Sequence, residues 1–157
     1  MSSAEAAGPS TRQKPAPDRE PAPVSILLYA SDRAVREDVR LILGRKVAAD
    51  LGEVTVLEVA TQPAVLTALE AGGIDLVILD GEAVPGGIGL CRQLKDEILR
   101  CPPVVVLIGR ADDAWLATWS RAEAVVAHPV DPIRLPAVVA SLLRPAASQV
   151  TDLATLV

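Results

Sequence analysis

The chain has 157 residues, half of them hydrophobic, with a mean hydropathy of +0.36 and a net charge of −5. That length fits one domain with a real core, and no apolar run reaches the roughly 18–20 residues of a membrane helix. An acidic chain with no basic stripe is a poor match for nucleic acid, whose binding rests on neutralised phosphates.

Residues 1–23 carry Pro9, Pro15, Pro17, Pro21 and Pro23 among Ser, Ala and charges. Such a segment buries too little apolar surface to offset its ordering entropy, so it is expected to be disordered alone or held by a partner. From Val24 the pattern alternates between short apolar runs and helical periods. Val24 to Tyr29 reads as a buried strand. Ser31 or Asp32 can cap a helix in which Val35, Val39, Ile42 and Leu43 share a face, and Gly44 is its stop. Val54 to Val59 is the second strand. Thr61 caps the second helix, with Pro63 in the first turn and Gly72-Gly73 as terminator. Ile74 to Leu79 is the third strand, ending at Asp80. A loop with Pro85, Gly86 and Gly87 leads to a helix over roughly Ile88 to Arg100. Pro103 opens the fourth strand, Val104 to Ile108. A short helix over about Asp112 to Ser120 precedes the fifth strand, Ala124 to Ala127. The last helix spans about Asp131 to Arg144, with Pro136 either kinking its first turn or delaying its start. Residues 145–157 form a short tail in which Val150, Leu153, Leu156 and Val157 have rough helical spacing, and no second domain fits after residue 144.

Five strands alternating with five helices predict an α/β fold: a doubly wound, five-stranded parallel sheet covered on both faces. The domain is expected over 24–144. Nothing at the N-terminus reads as a signal peptide. Cys91 and Cys101 match no metal motif or disulfide framework, which points to a reducing cytoplasm; Cys91 reads as a small core hydrophobe. Gly86, Gly87 and Gly89 follow the third strand and a proline, whereas a dinucleotide loop needs its glycines after the first strand.

The run Ile74-Asp75-Leu76-Val77-Ile78-Leu79-Asp80, the Pro85-Gly86-Gly87-Ile88-Gly89-Leu90 loop, and His128-Pro129 after strand five resemble the response-regulator receiver family. The resemblance spans about residues 24–144 and implies the receiver (flavodoxin-like) topology, with Asp80 at the phosphoacceptor position. It also implies two acidic Mg²⁺ ligands after strand one, where this chain has Ala30 and Ser31. It implies a Thr or Ser ending strand four, where Ile108 stands, followed by Gly109. It implies a Lys before the proline, which is His128, and a switch aromatic three residues earlier, which is Val125. Only the acceptor is kept. Phosphoryl transfer to a carboxylate needs a metal and cations to neutralise the transferred oxygens, and Asp80 with Asp32 nearby is a weak Mg²⁺ site. Asp80 is expected to be a vestigial acceptor that caps strand-end amides.

Gly72-Gly73-Ile74-Asp75, Leu79-Asp80-Gly81-Glu82-Ala83, Gln93 to Glu97, Cys101-Pro102-Pro103 and Trp115 to Glu123 are similar to an actinobacterial family of orphan receiver-like proteins. That resemblance implies an accessory role on the hydrophilic arm of respiratory complex I, the NADH:quinone oxidoreductase. The protein would then sit at the inner face of the membrane through its partner. Trp115 and Trp119, at i and i+4, share a helix face and are the candidate partner surface, with one indole expected inward and one partly out. The leading expectation is a non-catalytic pseudo-receiver that binds protein and carries no cofactor. The alternatives are a phosphorylatable single-domain response regulator and a small-molecule-binding flavodoxin-like protein.

Overall fold

In the computed structural model, residues 19–145 are described, apart from the side chain of Ala117. The rest of the Pro-rich segment and of the C-terminal tail lie outside them. The elements run β1 (Val24–Tyr29), α1 (Arg33–Leu43), β2 (Val54–Val59), α2 (Gln62–Ala71), β3 (Leu76–Asp80), α3 (Gly87–Glu97), β4 (Val104–Ile108), a 3₁₀ turn (Ala111–Ala114), α4 (Trp115–Ser120), β5 (Ala124–Ala127) and α5 (Arg134–Leu143). The strands form one parallel sheet in the order β2-β1-β3-β4-β5, so β3 is central. Pairs such as Ile26 with Leu76, Ile78 with Val105 and Val106 with Val125 set the register.

The apolar strands do not alternate with polar residues because both faces are covered. Ile26, Leu28, Ile78, Leu107 and Val126 meet Val39 and Leu43 of α1 and Leu135 and Val139 of α5. Their neighbours Leu27, Tyr29, Val77, Leu79 and Val106 meet Val65 of α2 and Leu90, Cys91 and Leu94 of α3. Doubly wound sheets place their sites beyond the carboxyl ends of the strands, which here are Tyr29, Asp80, Ile108 and Ala127.

Several boundaries depart from the periodicity. Strand β3 starts at Leu76; Asp75 is tied to β1, its amide donating to Ser25 O and its carboxylate accepting the Ser25 amide, each at 2.8 Å. Helix α3 stops at Glu97, with Ile98 already extended ahead of Cys101-Pro102-Pro103, where the residue before a proline avoids the helical region. A 3₁₀ turn takes up Asp112 and Asp113 before α4. Helix α5 starts at Arg134, so Pro136 falls in its first turn, where a missing N–H costs no helical bond.

Candidate functional site at the carboxyl edge of the sheet

Asp80 ends the central strand and is 2% exposed. One of its oxygens, Oδ1, accepts the Glu82 amide at 3.1 Å and lies 3.1 Å from His128 Nε2. A buried carboxylate is stable only when so partnered. His128 is carried there by β5, whose register is extended when its amide donates to Ile108 O at 2.8 Å. Ser31, Asp32, Val35, Asp80, Glu82, Gly109 and His128 line a cavity of about 270 Å³. Asp80 therefore lies with Ser31 and His128, as the strand-end positions require.

The other groups in this cavity are engaged. Ser31 Oγ accepts the Val84 amide at 3.2 Å. Asp32 caps α1, its Oδ1 accepting the Ala34 amide at 2.8 Å. Ala30 contributes backbone: its carbonyl accepts Arg36 at 2.6 Å. Tyr29, buried at the end of β1, donates its hydroxyl to Pro85 O at 2.7 Å. Burial, and then the nearby Asp80 charge, raise the pKa of that phenol. Two hydroxyls from the end of β1 thus hold the β3–α3 loop. Glu82 reaches over to β4, where its Oε1 accepts the Gly109 amide at 3.2 Å.

Ile108 and Val125 lie elsewhere. Ile108 is 3% exposed and belongs to the core on the α2–α3 face, and Val125 packs against the same cluster. Among the described residues no three His, Cys, Asp or Glu side chains are placed to hold a metal ion. Magnesium prefers an oxygen octahedron, and here Ser31 Oγ and Asp32 Oδ1 are turned to backbone amides.

Trp115 and Trp119 depart from expectation: both face outward, 66% and 48% exposed, and neither enters the core. Helix α4 is short and rests on α3, which leaves its outer face uncovered. Arg92 of α3 stacks over the Trp119 ring at 5.1 Å from its centroid and donates to Trp119 O at 2.7 Å, a cation–π arrangement that orients the indole. Sequence patterns missed the parts played by Tyr29, Glu82 and Gly109. The available signal was an acid two residues beyond the strand-end acid.

No family model matches the chain. The solved structures of similar fold include a putative response regulator from Chloroflexus aurantiacus, with a TM-score of 0.67 at 22% identity over 78% of this chain and 98% of that one. Another is the N-terminal signal receiver domain of a two-component response regulator from Bacteroides fragilis, with a TM-score of 0.65 at 19% identity over 80% of this chain and 100% of that one. At these identities they establish the fold. An uncharacterised response regulatory protein of Mycobacterium tuberculosis, found in strains CDC 1551 and H37Rv, is 57% identical over 120 residues, which cover 76% of this chain and 90% of the relative. With that identity over a shared receiver fold, the chain belongs to the response-regulator receiver family.

Proposed function

We propose that this receiver is a non-catalytic pseudo-receiver that binds protein as an accessory or regulatory subunit and needs no cofactor. The observation that carries the proposal is the state of the acceptor end. Asp80 is buried and already paired, while Ser31 Oγ and one carboxylate oxygen each of Asp32 and Glu82 accept backbone amides. Ile108 offers no hydroxyl to a phosphoryl oxygen. Incubation with acetyl phosphate and Mg²⁺, followed by intact-mass measurement, is expected to leave the mass unchanged. A stoichiometric gain of one phosphate, lost in Asp80→Asn, would establish the phosphorylatable reading instead.

The docking face we assign is α4 with its two outward indoles, because Trp is enriched among residues that dominate binding energy. The partner we propose is the hydrophilic arm of respiratory complex I, which would hold the protein at the inner face of the membrane. Support for that partner is the resemblance carried by segments such as Trp115 to Glu123. Among the described residues no helix is long and apolar enough to cross a membrane. Affinity purification from native membranes is expected to recover complex I subunits with the wild-type chain, and fewer with Trp115→Ala/Trp119→Ala.

A further inference from the structure

Gly109 opens the connector from β4 to α4, and its amide is taken. Glu82 Oε1 accepts it at 3.2 Å. A Cβ at Gly109 would lie 2.5 Å from that oxygen and 2.8 Å from the carboxylate carbon, so the missing side chain leaves the room the carboxylate fills. The Glu82 backbone is fixed in turn, its amide donating to Asp80 Oδ1 at 3.1 Å. Beyond Gly109 come only Arg110 and one 3₁₀ turn before Trp115 opens α4. A displacement at Gly109 therefore has a short route to the two exposed indoles.

The charged groups around Glu82 sharpen the point. Asp32 follows β1, Asp80 ends β3, and His128 follows β5, all lining the same cavity. An oxyanion arriving from solvent would meet three carboxylates and find the Gly109 amide occupied. We infer that Glu82 is a resident anion. Its carboxylate holds the end of β4 and so sets the position of α4 and its Trp face without covalent modification. This rests on the assignment of α4 as the docking face.

The test uses the full chain, ¹⁵N-labelled, as wild type, Glu82→Ala and Glu82→Gln. Two quantities are read: the Gly109 amide proton shift, and acrylamide quenching of the indoles, the chain's only two tryptophans. Glu82→Ala is expected to move the Gly109 proton upfield and to change the quenching of the indoles. Glu82→Gln keeps the shape and an acceptor oxygen but removes the charge, and should fall between wild type and Glu82→Ala. A wild-type Gly109 shift, or wild-type quenching of the indoles, in Glu82→Ala would overturn the inference. So would a Glu82→Gln chain indistinguishable from wild type, since a neutral acceptor would then suffice. Affinity purification with Trp115→Ala/Trp119→Ala reads the docking-face assignment separately: undiminished partner recovery would refute that assignment and leave the hold of Glu82 on α4 to be judged by the shift and the quenching.

Discussion

Asp80 ends the central strand with its carboxylate engaged inside the fold. Its carboxylate is buried, and one oxygen serves both the Glu82 amide and His128. A typical hydrogen bond contributes about 0.5–1.5 kcal/mol net, and both bonds to Asp80 are part-buried. Asp80→Ala should lose about that much stability in urea unfolding, while Asp80→Asn, which keeps an oxygen acceptor, should lose less. Equal losses would mean that the oxygen contacts contribute nothing. Cys91 gives a second check. Burial is the main reason its pKa rises to about 11, although its thiol also meets Ser120 O. An unfolded chain ionises this thiol near the ordinary value of 9.0. The folded chain holds the proton longer, so stability is full below that value and falls as pH rises through about 11. The alkaline loss should be smaller in Cys91→Ala than in wild type. In the native state at pH 8, a thiol reagent should leave Cys91 unmodified, and unfolding should expose it.

Among the elements, α5 carries an instructive cap. Asp131 Oδ1 accepts the Ile133 and Arg134 amides at 2.7 and 3.0 Å, and these bonds hold its carboxyl below the usual carboxylate range. A lowered folded pKa means stability that is present above the unfolded value and lost as pH falls through the folded one. Asp131→Ala should lower the urea midpoint at pH 7 and lose that difference from wild type near pH 3. The sequence makes β1, β2, β4 and β5 legible to the residue, because short apolar runs are bounded by Gly, Pro and charged residues. It is less clear at α4 and α5. There Asp112-Asp113 favour a tight turn, and Asp131, three residues before α5 begins at Arg134, looks like a helix start. The site divides in the same way. Asp80, Ser31 and His128 are legible because strand ends converge. The bonds of Tyr29 to Pro85 and of Glu82 to Gly109 are not, because contacts between loops leave no period in the sequence.

The molecule as a whole extends its packing past β1. The backbone of Ala22 lies so close to Gly52 that a Cβ there would overlap the Ala22 carbonyl. Pro21, Ala22 and Pro23 line a cavity of about 360 Å³ with Leu51, Gly52, Leu142 and Leu143. Gly52→Ala should therefore destabilise the fold by about 1–3 kcal/mol, the usual cost of overpacking. Thermal unfolding would show it as a lowered midpoint. An unchanged midpoint would mean that the segment before Val24 lifts away freely.

The same cavity has a consequence for how the protein is hung. Pro21 and Leu143, near the first and last described residues, border one space at the amino ends of the strands, and Arg144 is pinned beside it by two 3.0 Å bonds to Asp50. Asp80, Ser31 and His128 crowd the opposite rim. A tether drawn through either end would pull on the same pole. The described chain thus enters and leaves the fold at one pole, opposite the rim that holds Asp80.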